Sequence, residues 1–303
     1  MSNAITASLA VPYSLIPPRP VHWLHEGFIP FRHVTVVLGP AGMSKGILTL
    51  DYGARMTRHA PAPGEAKPTY SAPLDVIVIL PEDDPNEAVA GRLAGNGAVQ
   101  DRVHNLTVFP DGHHFTVPGD IKRISEAIAE IEFDLDKTGQ RTVRRFAADG
   151  FPHKVGMIIA DPLLALAEND LRTRGQARPV MEELEDLARR RHLAVLVTHH
   201  VNADGRAASS KAIIETVRNV VSLSKPPKAA EDSPLRVLTV TKTNIGLTGK
   251  HVGYALAGTL ARPRVVWSSD APSLQAQASR GYEVARPGEG IAARIIARSK
   301  QAA

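Results

Sequence analysis

Six short apolar runs, separated by helical or turn-forming segments, constrain the fold of this chain more than any other feature. They are rich in β-branched residues and span 34–38, 76–80, 155–159, 193–197, 220–223 and 237–240. Runs of this length are typical of strands buried on both faces of a sheet that helices cover. Helical patterns between several of them favour a mostly parallel, twisted sheet. The predicted fold class is therefore α/β, and ligands of such sheets bind beyond the carboxyl ends of the strands.

The helical patterns and the loops divide the chain further. Apolar residues recur at helical spacing over 121–131 and 179–192, and Pro179 suits the first turn of the second helix. Pro- and Gly-rich stretches at 60–73 and 226–234 indicate loops. We predict three regions, which are an N-terminal arm (1–22), one α/β domain (23–268) and a flexible basic tail (269–303).

Composition excludes several classes of protein. The chain has 303 residues, of which 43% are hydrophobic, so a sizeable core is expected and disorder of the whole chain is excluded. The absence of cysteine excludes disulfide frameworks, thiolate metal sites and cysteine nucleophiles, and it is compatible with a cytoplasmic protein. No apolar run approaches the ~18 residues of a membrane helix, so no membrane partner is expected. A net charge of +5 permits a nucleic-acid partner without demonstrating one.

The run 34–38 leads into a loop that is similar to the phosphate-loop pattern G-x-x-x-x-G-K-[ST]. The loop consists of Gly39, Pro40, Ala41, Gly42, Met43, Ser44, Lys45 and Gly46, and a helical pattern begins at Ile47. Successive backbone N–H groups in such a loop form a nest for anions, and the lysine reaches the β- and γ-phosphates. We therefore predict that these nine residues bind ATP.

Two positions depart from the pattern. Ser44 replaces the second glycine, and Gly46 replaces the Ser or Thr whose hydroxyl normally ligates Mg²⁺. Water, or Thr49 acting through water from one turn further along, would have to supply that ligand, and restoring a hydroxyl at residue 46 is expected to strengthen Mg²⁺-dependent binding. The structural alternative is an ordinary strand–helix turn with an exposed lysine.

Acidic residues follow two of the predicted strands. Glu82, Asp83 and Asp84 come directly after the second run, before Pro85. We assign Asp84 to the cap of the following helix and Glu82 to the activation of water, because a carboxylate beside a phosphate loop can accept the proton of the attacking water. Asp161 follows the third run, where a carboxylate can hold the Mg²⁺ shell near the phosphates through water.

A histidine pair and a lysine follow two further strands. His199 and His200 end the run 193–197, and a small-residue loop follows that carries Arg206, with Lys211 just beyond. A metal site at the pair is disfavoured, because adjacent residues of a strand point to opposite faces. Lys242 follows the last run, where it can act as a cationic finger on the nucleotide of a neighbouring subunit. The structural alternatives are surface histidines and a solvated lysine.

Together these residues resemble the RecA-like ATPases, in the branch that contains the hexameric plasmid helicase RepA. The resemblance covers about 23–267 and rests on the phosphate loop, the acidic segment with Arg92 and Leu93 after it, Asp161, the histidine pair and the segment 242–244. It implies a RecA-like phosphate-loop core and catalytic roles for Lys45, Glu82, His199, His200 and Lys242. It also implies Mg²⁺-dependent ATP hydrolysis in a homo-oligomeric ring, with a hexamer favoured, coupled to single-stranded DNA. The histidines would sense the γ-phosphate, and Arg206 and Lys211 would face the DNA.

The sequence also allows three other hypotheses about function. A nucleotide-dependent assembly protein with little hydrolysis would explain the missing hydroxyl at Gly46. A small-molecule kinase would use the cluster Arg141, Arg144 and Arg145 as a lid, but it leaves Glu82 and the histidine pair unexplained. A DNA-binding module without catalysis has no helix-turn-helix or zinc pattern to support it.

Overall fold

The structure is a computed structural model that describes residues 10–106, 112, 115–135, 141–143, 154–168, 170–201, 208–227, 229–230 and 232–269. For 133–135, 141–143 and 208–210 it describes the backbone alone. Arg144, Arg145 and Arg206 lie outside the described residues, as does the tail from residue 270 onward.

A nine-stranded sheet forms the centre of the fold. Its strands are β3 (Val34–Gly39), β4 (Asp75–Ile79), β5 (Val103–Asn105), β8 (Val155–Ala160), β9 (Ala194–His200), β10 (Asn219–Ser224), β11 (Leu235–Thr243), β12 (His251–Gly258) and β13 (Pro263–Trp267). Their order across the sheet is β13-β12-β11-β10-β3-β9-β8-β4-β5. The six strands from β10 to β5 are parallel, and β11 to β13 extend the sheet with antiparallel pairs. The predicted α/β class with a mostly parallel sheet is confirmed.

Two small hairpins lie outside this sheet. The first pairs β1 (Trp23–His25) with β2 (Ile29–Pro30). The second pairs β6 (Phe133–Leu135) with β7 (Arg141–Val143), so Arg141 belongs to a strand.

Helices cover both faces of the sheet. They are α1 (Lys45–Thr57), α2 (Ala90–Gly95), α3 (Ile121–Glu132), α4 (Leu163–Leu166), α5 (Arg174–Arg191) and α6 (Ala208–Thr216). One apolar core packs α1 and α2 against one face, and a second core packs α3 to α6 against the other. Val36 and Val37 of β3 enter opposite cores, as the alternation of strand side chains requires. No helix in the described part of the chain combines the length and apolar character needed to cross a membrane.

The start of α5 corrects one prediction. Pro179 does not lie in the first turn, because the helix begins five residues earlier at Arg174. Thr173 caps it through a capping box with Gln176, in which each side chain bonds the backbone of the other residue. This reciprocal cap fixes the start of the helix, so the proline is carried inside it and removes one backbone donor.

Candidate functional site

The phosphate loop joins β3 to α1 and has the backbone that the pattern requires. Gly42 has a φ of 74° and Ser44 a φ of 63°, so both residues adopt the left-handed conformation. Ser44 stands where the pattern has glycine, and its side chain makes no capping hydrogen bond to the helix. The geometry thus explains why glycine suits this position, and the serine adopts the same turn at a conformational cost.

Replacing Ser44 with glycine is therefore expected to stabilise the protein. The left-handed conformation costs a residue with a Cβ about 1 kcal/mol, and no cap is lost. Urea unfolding of Ser44→Gly and the parent measures the difference. Gly42→Ala is the opposite control, because a Cβ there meets no atom within 4 Å and only the backbone penalty remains. A Ser44→Gly variant that is less stable than the parent would contradict the interpretation.

Lys45 begins α1 and folds back over its own loop. Its Nζ donates hydrogen bonds to the carbonyl oxygens of Gly39 and Pro40, both at 2.9 Å, and to Nδ1 of His200 at 3.0 Å. The lysine is buried, and burial lowers the pKa of its amine while the negative charge of Asp161 opposes that shift. The structure therefore joins two predicted site residues, 155 positions apart, in one contact.

Asp161 follows β8 and lies against the first turn of α1. Thr198 of the neighbouring strand β9 donates its hydroxyl to the Asp161 carboxylate. Burial raises the pKa of this carboxyl group, and the hydrogen bond from Thr198 and the charge of Lys45 oppose the shift. A Cβ added at Gly46 would lie only 2.8 Å from Oδ2 of Asp161. The carboxylate thus occupies the space of a side chain at residue 46, a relation that the sequence did not reveal.

Thr49 does not supply the missing hydroxyl. Its side chain is fully buried, and its Oγ1 donates to the carbonyl oxygen of Gly46 inside the helix at 3.1 Å. The expectation that Thr49 substitutes for the hydroxyl at residue 46 is therefore wrong.

The acidic segment after β4 contributes the rim of the site. Glu82 is exposed and lines the same cleft as Lys45. Asp84 accepts hydrogen bonds from the backbone amides of Asn86 and Glu87, both at 2.8 Å, and so caps a π-helical turn over Pro85–Val89. The assignment of Asp84 to a helix cap is confirmed, while the catalytic role of Glu82 stays a prediction.

Arg92 lines the cleft, although the sequence did not mark it as a site residue. It lies on α2 and forms an ion pair with Asp83, with Nη2 3.2 Å from Oδ1. Its Nη1 would lie 3.4 Å from a Cβ at Gly46, so the guanidinium reaches the phosphate loop. The spacing of nine residues between Asp83 and Arg92, across a strand end and a helix, was the available signal.

The histidine pair divides as the alternation of a strand predicts. His199 is fully buried, and burial together with the charges of His200 and Lys45 lowers the pKa of its imidazole to about 4. His200 is exposed and lines the cleft. Of the two candidates for a phosphate sensor, only His200 faces the site.

Lys242 and Lys211 lie apart from the cleft. Lys242 projects from β11, and its Nζ donates to the carbonyl oxygens of Ile214 and Val217 at the end of α6. Lys211 is exposed on the same helix. The structure therefore connects these two residues through α6, and their predicted roles toward a neighbour and DNA stay predictions.

The cleft has a volume of about 320 Å³ and collects residues from adjacent strands. It lies at the carboxyl ends of β3, β9, β8 and β4, which are neighbours in the sheet. Its residues include Lys45, Gly46, Glu82, Arg92, Asp161 and His200. A phosphate loop opening a helix beside acidic strand ends, on a mostly parallel sheet, is typical of phosphate-loop ATPases.

Residues 9–206 match the AAA_25 family, described as an AAA domain. Since the match spans more than half of the chain, the protein belongs to this family. A search of curated proteins finds no match. Among solved structures the chain is similar to the crystal structure of the RadB recombinase, with 18% identity over 76% of this chain and 90% of that chain, and a TM-score of 0.45.

Proposed function

We propose that the protein is an ATP-hydrolysing motor that works on single-stranded DNA as a homo-oligomeric ring, of the kind found in the RepA branch of helicases. The observation that carries the proposal is the cleft in which Lys45, Glu82, Asp161 and His200 meet. These side chains belong to neighbouring parallel strands or to the loops at their ends, so the sheet holds them in register. We further propose a hexameric ring in the cytoplasm.

Each residue of the cleft has a role that its position supports. The loop amides and Lys45 bind the phosphates, where Lys45 exchanges the loop carbonyls and His200 for phosphate oxygens. Glu82 on the exposed rim accepts the proton of the attacking water. His200 touches Lys45 directly and so registers whether phosphate has taken the lysine.

Mg²⁺ fits this site. The first turn of α1 leaves room beside Gly46, and the half-buried carboxylate of Asp161, the ligand type that Mg²⁺ prefers, fills that room. When bound with ATP, Mg²⁺ neutralises charge on the phosphates. Asp161 and the loop are the residues that would hold it.

Coupling to DNA is supported by α6. This helix follows the predicted DNA-facing segment and carries Lys211, and its last carbonyl groups are held by Lys242 of β11. A displacement of α6 at Lys211 would therefore be transmitted along the helix to its contact with Lys242, and the reverse also holds. Lys242 is the proposed finger toward the neighbouring subunit.

The substitution Lys242→Ala tests the finger. We expect ATP to bind normally and hydrolysis to slow by about 10²-fold, since the charge stabilises only the transition state in a neighbour's site. Mixing this variant with Glu82→Gln restores some turnover, because a mixed ring places an intact Glu82 beside an intact Lys242. Lys242→Arg keeps the charge and controls for the loss of the α6 contacts. Failure to regain turnover, with subunit exchange demonstrated, would remove Lys242 from the mechanism.

The direct experiment measures ATP turnover with and without single-stranded DNA, alongside size analysis with and without nucleotide. If the proposal is right, single-stranded DNA stimulates ATP turnover and nucleotide stabilises the ring. If the protein is a monomer whose ATP turnover does not change with DNA, the motor function is refuted, although the protein would still be an ATPase.

A second candidate is a nucleotide-dependent assembly protein with little hydrolysis. The observation that favours it is Gly46, which brings no hydroxyl to the site. The same experiment separates the two, because this candidate expects assembly that depends on nucleotide and negligible turnover with or without DNA.

A further inference from the structure

The carboxylate of Asp161 occupies the space that a side chain at residue 46 would need. Real Cβ atoms essentially never approach other atoms within 3.0 Å, yet a Cβ at residue 46 would be 2.8 Å from Oδ2 of Asp161 and 3.9 Å from its carboxyl carbon. The side chain at residue 46 is thus excluded by the carboxylate itself.

The carboxylate has little freedom to withdraw. Its other oxygen, Oδ1, accepts the hydrogen bond from Thr198, whose side chain is fully buried in β9. Asp161 directly follows β8, which has a neighbouring strand on each side. Arg92 also limits the space beside Gly46, because its Nη1 would lie 3.4 Å from the added Cβ. Glycine is therefore the residue that lets Asp161 keep its position.

A carboxylate at this place opposes an anionic ligand unless a cation lies between them. The polyphosphate of ATP binds at the first turn of α1, and Oδ2 of Asp161 already lies at that turn. Arg92 is engaged by Asp83, and Lys45 is directed at the loop carbonyls. A divalent cation shared by the carboxylate and the phosphates resolves the repulsion.

The cation has to arrive with the nucleotide. Within the described residues, no group of three or more His, Asp or Glu side chains could hold a metal ion without help. Mg²⁺ commonly takes one or two carboxylates together with substrate phosphates, and oxygen is its preferred ligand. One carboxylate oxygen beside the phosphate loop matches that donor set.

We propose that Asp161 ligates the nucleotide's Mg²⁺ directly through Oδ2, in the place that a Ser or Thr hydroxyl takes in the phosphate-loop pattern, and that Gly46 provides the room for it. The proposal rests on the nucleotide-binding function proposed above. It replaces two sequence-based expectations, which were that Asp161 acts through water and that a hydroxyl at residue 46 strengthens Mg²⁺-dependent binding.

The direct contact between Asp161 and the metal ion is tested by counting the water ligands of Mn²⁺, which is used in place of Mg²⁺. The electron paramagnetic resonance line of Mn²⁺–ADP on the protein broadens in ¹⁷O-water according to the number of bound waters. We expect Asp161→Ala to bind one more water than the parent, because water takes the place of the carboxylate. Gly46→Ala should gain the same water, since its methyl group displaces Oδ2 without removing Asp161. Equal water counts in the parent and both variants would overturn the proposal.

The second measurement is the gain in ADP affinity when Mg²⁺ replaces EDTA, determined by titration calorimetry. We expect at least a tenfold gain for the parent and less than a threefold gain for Gly46→Ala and Gly46→Ser alike. The affinity of each variant in EDTA is its own reference, so the Mg²⁺ gain is a ratio measured within one protein. Gly175→Ala is the matched control, because Gly175 lies in the first turn of α5 and an added Cβ meets only Oγ1 of Thr173, at 3.9 Å.

Failure of this proposal and failure of the proposed function give different results. If Gly46→Ser increases the Mg²⁺ gain above the parent, Asp161 is not the direct ligand, while nucleotide binding stands. If the parent binds ADP with no gain from Mg²⁺, the ligand assignment is also wrong and the nucleotide site stands. If the parent binds no nucleotide in either medium, both proposals are overturned.

Discussion

Lys45→Ala is expected to lower the affinity for ATP by about a hundredfold or more. In the structure Nζ lies within 2.9 to 3.0 Å of three acceptors at the phosphate loop, so it can be transferred to phosphate oxygens without leaving the loop. Hydrogen bonds from a charged donor contribute about 1.5–3 kcal/mol each, and a loss of about 3 kcal/mol corresponds to somewhat more than a hundredfold in the dissociation constant. Calorimetric titration with ADP and a non-hydrolysable ATP analogue measures the effect.

Two controls make this result specific. Lys122→Ala removes the same charge from an exposed position on α3, where the side chain is 87% exposed and pairs only loosely with Glu126. It should leave the affinity unchanged, which excludes a general effect of net charge. Thermal unfolding of both variants shows whether the loop carbonyls tolerate the loss of their donor. Unchanged ATP affinity in a folded Lys45→Ala protein would refute the phosphate-loop assignment.

Glu82→Gln is expected to keep ATP binding and to lower turnover by about 10²- to 10⁴-fold. The amide has the shape of the carboxylate but cannot accept the proton of the attacking water, and general base catalysis contributes about this factor. Because Glu82 is exposed, the substitution should leave the stability of the fold unchanged. Single-turnover hydrolysis together with the dissociation constant of the ATP analogue separates the chemical step from binding.

Asp84→Asn is the matched control in the same segment. Asp84 caps the π-helical turn through Asn86 and Glu87, and asparagine caps a helix about as well as aspartate does. Turnover should therefore change little, although the same negative charge is lost two residues away. If Glu82→Gln hydrolyses ATP at the parent rate, Glu82 is a rim residue only and another group must activate the water.

The fold was predictable where strands are buried on both faces. All six apolar runs became strands of the central sheet, because short runs rich in β-branched residues are typical of strands that are buried on both faces. The antiparallel strands β12 and β13 were not predicted individually. Both are only partly buried, and β12 carries Gly253, Ala255, Ala257 and Gly258, so neither a continuous apolar run nor a clear alternation marks them.

The site was predictable as a set of residues but not as an arrangement. The order of strand-end residues placed Lys45, Glu82, Asp161 and His200 in one region, since carboxyl ends of parallel strands share an edge. The close approach of Asp161 to Gly46 depends on the side-chain position of a residue 115 positions away, which no local pattern encodes. The pair formed by Asp83 and Arg92 was missed although its residues are only nine positions apart, because a π-helical turn precedes α2 and changes the direction of Arg92.

The hydrogen bond between Lys45 and His200 makes nucleotide binding an exchange reaction. An imidazole nitrogen accepts from an ammonium group only while it carries no proton, so this contact selects the His200 ring that is neutral at Nδ1. When Lys45 binds phosphate instead, its hydrogen bond to Nδ1 of His200 is lost. The measured affinity is then the difference in free energy between two sets of lysine partners, the loop carbonyls with His200 and the phosphate oxygens.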